Sequence, residues 1–178
     1  MHLATTAAPV TTVARTWIDV ARQESLADAL SVGDAALRRD LLTPHDVAVA
    51  LNRTRELRGI KHAIRAAAHL NGTRESPFES WSCADFIEWG LPLPELQVLI
   101  RDDAGYPVGR VDFLWREQRV IGEADGLMKY ADSQGLAAFG REKDREAALR
   151  DSKTTNCYGK RRKPRSVATL SVAVSLSR

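Results

Sequence analysis

The sequence is poor in cysteine and has no long apolar run. Cys83 and Cys157 are its two cysteines in 178 residues, too few for a disulfide scaffold or a four-ligand zinc site built on thiolates. No stretch approaches the roughly 18 consecutive apolar residues that a membrane span requires, so no membrane partner is expected. The opening segment, MHLATTAAPVTTVARTW, lacks a basic n-region and a continuous apolar h-region. That argues against a secretory signal and for a cytoplasmic protein. There is no P-loop and no G-x-G-x-x-G, so no nucleotide cofactor is expected. Cys83 falls among apolar residues of an expected helix, where a buried, inert thiol is the natural reading.

Acidic residues are missing from one region only. Residues 152–178 contain Lys153, Lys160, Arg161, Arg162, Lys163, Arg165 and Arg178 and no Asp or Glu. Residues 1–151 then hold 19 basic and 23 acidic side chains, a net of −4, although the whole chain is +3. The basic pI near 9.1 therefore belongs to the tail and does not argue for nucleic-acid binding by the folded body. Hydrophobic residues make up 44% of the chain, enough for a proper core.

Residues 12–70 read as helices. Val13, Trp17, Val20 and Ala21 recur at helical spacing, as do Leu26, Ala29, Leu30, Gly33, Ala36 and Leu37. Thr43-Pro44 has the form of an N-cap followed by proline at the first helical position. A fourth helix is expected from about Gly59 to Leu70, with Asn71-Gly72 as its stop. His45 falls on one expected helix and His62 and His69 on the next, with no i, i+3 or i, i+4 spacing among them, which favours surface or capping roles over metal ligation. Ser76-Pro77-Phe78-Glu79 opens a further helix with capping-box spacing. Residues 96–100, 108–115 and 119–124 are strand candidates, rich in β-branched and apolar residues. A charged amphipathic helix is expected from about Leu136 to Arg150. The expected fold is thus α/β: a helical segment (1–73), an α-β-β-β-α domain (74–151) and a basic, atypical tail (152–178). The end of that tail is expected to form one strand or to be disordered.

The second and third strands place carboxylates together. A tight hairpin with Glu117-Gln118 as its loop puts Asp112 directly opposite Glu123. Directly opposed residues share a face, with Cβ atoms roughly 4.5–5.5 Å apart. Asp125, two positions beyond Glu123, projects from the same face if the strand continues. Like charges this close repel unless a proton or cation lies between them, and a hard divalent ion suits oxygen ligands. Mg²⁺ (or Mn²⁺) on such a pair polarises a phosphoryl oxygen and activates water. Lys129 and Lys143 are the candidates to orient that water. The competing reading leaves the acids as solvated strand-end charges, and a one-residue slip of the hairpin would separate them.

The runs ESPFES, LPLPELQV, GRVDFLW, VIGEADG and REKDREAALR, in that order, resemble a bacterial family of unknown function related to the very-short-patch repair endonucleases. That family is similar to PD-(D/E)XK nucleases. The resemblance covers roughly Arg74 to Asp151 and implies a restriction-endonuclease-like core acting on DNA. It implies Asp112 and Glu123 as the two motif acids. Glu79 matches the acid that the preceding helix often contributes, alongside its plain reading as a helix cap. Asp125 stands where the general motif has Lys, which departs from that pattern but fits the subfamily's Asp-Gly. Lys129 lies where relatives often have His, and Lys143 is the alternative lysine. Metal ligation is thereby assigned to Asp112, Glu123 and Glu79, and the catalytic set to Asp112, Glu123, Asp125, Lys129 and Lys143.

The helical stretch PVTTVARTWIDVARQESLADALSVGDAALRR resembles the middle segment of AbiEi-type antitoxin-like proteins. A winged helix-turn-helix usually precedes that segment, so the resemblance suggests a short member of that group. Two functions follow from the two resemblances: metal-dependent phosphodiester hydrolysis of DNA, in an active or a degenerate form, or a non-catalytic regulator with a protein partner from a toxin–antitoxin system. The tail departs from both. Its Ser/Thr/Arg bias suggests translation in a shifted frame, or alternatively a basic arm that contacts phosphates.

Overall fold

The computed structural model describes residues 10–102, 104–126 and 168–174. The chain divides into two compact units at Gly72/Thr73. The described residues form five helices and one antiparallel sheet of four strands. No helix among them is long and apolar enough to cross a membrane.

The described residues of the first unit form four helices: α1 (Val13–Ala21), α2 (Leu26–Arg38), α3 (Pro44–Arg53) and α4 (Ile60–Ala67). Polar caps set their starts. Thr12, Ser25 and Thr43 each accept a hydrogen bond from the backbone N–H three residues on, satisfying donors that the helix itself leaves unpaired. At α3, Asp46 returns the bond to the Thr43 N–H, which completes a capping box behind Pro44. Trp17, Ile18, Ala21, Ala29, Ala36, Leu42, Val47, Ala63 and Ala66 form the core. Trp17 is 1% exposed, and its indole N–H donates to the Ala29 carbonyl at 2.9 Å. Gly33 makes room for that ring: a Cβ there would lie 2.5 Å from Trp17 Nε1. The helical reading of this segment is therefore what the structure contains, with α4 ending three residues earlier than Leu70.

The second unit begins with α5 (Pro77–Glu88), capped by Ser76, followed by β1 (Glu95–Arg101), β2 (Pro107–Trp115), β3 (Val120–Gly126) and β4 (Ala168–Val174). The sheet order is β1-β2-β3-β4. The β2–β3 hairpin has the expected register, with Trp115 opposite Val120, Leu114 opposite Ile121 and Phe113 opposite Gly122. Its loop closes with the Arg119 N–H on the Arg116 carbonyl. The last part of the tail supplies β4, antiparallel to β3, with Asp125 opposite Thr169. The helix expected at 136–150 lies outside the described residues, as does Cys157.

Among the described residues of this unit, two apolar clusters are present. Cys83, Phe86 and Phe113, with Leu96, Trp115 and Ala124, form one. Phe86 meets Phe113 and Trp115 edge-on at centroid distances of 5.4 and 5.1 Å, a favoured aromatic geometry. Val111, Leu114 and Ile121, with Val98 and Ile100, form the other. In a regular strand, residues two apart share a face. Leu96 and Val98 do not, since they belong to different clusters, and neither do Phe113 and Val111. The alternation breaks at Gln97 on β1 and at Asp112 on β2. Gln97 has φ of 53°, the left-handed region that a non-glycine residue enters at a cost of about 1–2 kcal/mol. The β1–β2 ladder, paired on both sides, omits the Gln97/Asp112 position.

Candidate carboxylate site

Three polar side chains meet at that break. Glu79 sits in the first turn of α5, three residues after the cap. Its own N–H donates to Ser76 Oγ at 3.2 Å, so half of the expected capping box is present. The other half is not. Glu79 Oε2 accepts from the Glu75 N–H at 3.0 Å and from Gln97 Nε2 at 2.8 Å. Only 4% of the residue is exposed. A carboxylate at a helix N-terminus is favoured by the local backbone dipoles. The side chain caps one residue further upstream and at the same time faces the sheet.

Glu75 is held for this role by β2. Arg110 Nη1 and Nη2 bind the two Glu75 carboxylate oxygens at 2.9 and 2.7 Å. The paired groups are about half exposed, so the ion pair contributes little by charge alone. Its bidentate geometry instead fixes the approach of the chain to α5.

Asp112 completes the arrangement. Its Oδ1 accepts from Gln97 Nε2 at 3.2 Å, and its Oδ2 accepts from the Ala124 N–H at 2.9 Å. One amide nitrogen thus donates to a carboxylate on α5 and to a carboxylate on β2. The orientation of the amide follows from its neighbours, because only the NH₂ end can donate to two carboxylates. The other end, Gln97 Oε1, is buried and accepts no hydrogen bond among the described residues.

Of the residues expected from the sequence, Glu79 and Asp112 are brought together. The β2–β3 ladder stops one pair short of Asp112 and Glu123, and beyond it the Asp112 carboxylate accepts from the Ala124 N–H. Among the described residues no three His, Cys, Asp or Glu side chains converge closely enough to hold a metal ion. The expected ligand trio Glu79, Asp112 and Glu123 is therefore gathered as a pair plus an amide. Asp125 is placed by its backbone on β3. Lys129 and Lys143 lie outside the described residues. Gln97 and the Glu75–Arg110 pair did not emerge from the sequence. The available signal was a lone amide inside the apolar run LQVLI.

The donor chemistry suits a hard divalent cation: two carboxylates and a carboxamide oxygen. The space between the two carboxylates is presently taken by Gln97 Nε2. Elsewhere in the unit, burial and then the neighbouring Glu88 push the Asp85 carboxyl above its ordinary value. Asp85 lies near the opposite end of α5 from Glu79. At the start of β1, hydrogen bonds from Arg116 hold the Glu95 carboxyl below its ordinary value.

No protein-family model matches the chain, and no solved structure matches it significantly. Curated relatives include an uncharacterized protein of Mycobacterium tuberculosis strain CDC 1551 / Oshkosh and its counterpart in strain ATCC 25618 / H37Rv. Each is 36% identical over 141 residues, covering 79% of this chain and 51% of the relative. The chain therefore spans about half the length of the curated relatives it matches.

Proposed function

We propose that the second unit is a nuclease-like domain of the PD-(D/E)XK type that hydrolyses phosphodiester bonds in DNA with Mg²⁺ or Mn²⁺. The observation that carries this reading is the meeting of Glu79 and Asp112 at one point where α5 faces a break in the sheet. Asp112 and Glu79 would hold the ion, with Glu123 as the further motif acid on the neighbouring strand. A divalent ion there would polarise the phosphoryl oxygen and lower the pKa of the attacking water. Asp112 is held by the Ala124 N–H and Glu79 by the Glu75 N–H, so both carboxylates are oriented before any ligand arrives. Asp125, Lys129 and Lys143 belong to the proposal as the groups that orient water.

The test is cleavage of plasmid DNA in Mg²⁺ or Mn²⁺ by the full chain and by Asp112→Ala and Glu123→Ala. Loss of nicking in both variants is expected. Cleavage that survives both substitutions rules out the assigned residues. One observation favours a second reading: the position between the carboxylates is satisfied by an amide, as in a domain that has exchanged catalysis for binding. Under that reading the chain is an AbiEi-like regulator. It would leave DNA intact while binding an operator or a protein partner.

A further inference from the structure

We infer that Gln97 is a positioning residue and neutral oxygen ligand of the Glu79–Asp112 site, its amide bridging the carboxylates without a cation and presenting Oε1 to one when it binds. The inference rests on the metal-dependent reading above. Four features converge on this side chain. Its Nε2 spans both carboxylates, at 2.8 Å from Glu79 and 3.2 Å from Asp112. Its Oε1 is buried with no hydrogen-bond partner among the described residues, although such an acceptor ordinarily finds one. Its backbone is left-handed, with φ of 53°. The strand pairing is interrupted at its position.

The left-handed backbone explains how a residue in an apolar run reaches the helix. It breaks the two-residue alternation between Leu96 and Val98, which frees Gln97 to reach Glu79. Strain of this kind persists only where the surroundings impose it, and it concentrates at functional positions. The amide N–H groups satisfy the two carboxylates in the absence of a cation. The terminal torsion of a glutamine side chain is broad and roughly two-fold, so rotation itself meets little strain, and the two hydrogen bonds it breaks are replaced by the cation's bonds to the three oxygens. After that exchange Oε1 points where Nε2 stood, between two carboxylates. This gives three oxygens from three different elements, the donor type that Mg²⁺ and Mn²⁺ prefer. An orphan acceptor beside two carboxylates is costly in a purely structural cluster. It is what a ligand oxygen looks like before its cation arrives.

The experiment is titration of the metal-free full chain with Mn²⁺, read by loss of the free-ion electron paramagnetic resonance signal. Thermal unfolding is followed with and without Mn²⁺. Gln97→Gly removes the side chain while suiting the left-handed backbone, so it tests the amide without adding strain. Gln97→Glu keeps the shape and makes the oxygen anionic. Wild type is expected to bind Mn²⁺, and Asp112→Asn and Gln97→Gly to weaken binding by about 10–100-fold, as loss of a ligand or its support does. Gln97→Glu is expected to bind at least as tightly as wild type and to gain more thermal stability from Mn²⁺. Wild type that takes no Mn²⁺ overturns the metal reading and this inference with it. Mn²⁺ binding that falls in Asp112→Asn but is unchanged or tighter in Gln97→Gly overturns only the inference. The amide would then be a plug and not a ligand. Weaker binding by both Gln97→Gly and Gln97→Glu overturns it equally, since an oxygen at that place would have failed to serve.

Discussion

Replacing Glu79 by alanine tests the site through stability, without reference to any ligand. Glu79 is 4% exposed, and its Oε2 accepts two hydrogen bonds, from the Glu75 N–H and from Gln97 Nε2. A hydrogen bond to a charged acceptor contributes about 1.5–3 kcal/mol. The Glu75 N–H lies at the exposed start of the unit and can turn to water, so its share is at the low end. Gln97 Nε2 keeps Asp112 as a partner. Removing a buried negative charge beside Asp112 also relieves repulsion, which offsets part of the loss. The net expectation for Glu79→Ala is a destabilisation of about 1–3 kcal/mol, and Glu79→Gln should recover roughly half because it retains an acceptor oxygen. In a unit of this size that corresponds to a fall in Tm on the order of 5–20 °C. The assay is thermal unfolding of the full chain in EDTA, so that no bound metal contributes. It is paired with amide hydrogen exchange at Glu75, which should become fast in Glu79→Ala and stay protected in Glu79→Gln. An Ala variant with wild-type Tm and a still-protected Glu75 amide would show that the carboxylate neither caps α5 nor anchors Gln97.

The remaining predictions concern the scaffold around the site. Phe113 is fully buried between Phe86 and Trp115, so Phe113→Ala should cost about 3–5 kcal/mol, measured by urea unfolding; a cost below 1 kcal/mol would contradict the cluster beneath α5. Asp85 has its carboxyl raised by burial and then by Glu88. The folded state therefore holds the Asp85 proton more tightly than the unfolded chain does, and stability attributable to it falls as pH rises through the raised value. Asp85→Asn should accordingly stabilise the protein at neutral pH. The difference from wild type should vanish below the ordinary aspartate pKa, where both side chains are neutral; unfolding curves across that range that stay parallel would refute the assignment.

Much of the scaffold was legible because its signals are local. Thr43-Pro44 and Ser76-Pro77 mark helix starts through groups that satisfy the first free N–H donors, and both caps are present. The hairpin register followed from a two-residue loop, since the loop length fixes which residues face each other. The buried Cys83 followed from the apolar spacing of its helix. What was not legible depends on contacts distant in sequence. Capping-box spacing at Glu79 does not say whether the carboxylate will close on Ser76 or turn to a strand. That choice is made by Gln97, 18 residues away, and by Arg110, 35 residues from Glu75. Strand β4 was one of two open readings because Ala168–Val174 lacks flanking turn signals, and its pairing with β3 is set by the sheet edge.

The least legible feature is also the one that organises the site. Period-two reasoning assigns Gln97 to the same face as Leu99 and Glu95 and assumes that Leu96 and Val98 point together. A left-handed residue cancels that assumption at one position, and no propensity scale marks Gln for such a backbone. The same break explains why the hairpin arithmetic succeeds up to Phe113 and Gly122 and then stops. Beyond that point the two strands are joined by the Asp112 side chain, whose carboxylate accepts from Gln97 and from the Ala124 N–H. A regular sheet at this point would have paired Gln97 with Asp112 through backbone alone. The strain at Gln97 and the lost ladder bonds are matched instead by side-chain bonds that converge on one location. That exchange of regular pairing for a polar cluster is the physical ground for reading Glu79, Gln97 and Asp112 as one site and not as three independent surface residues.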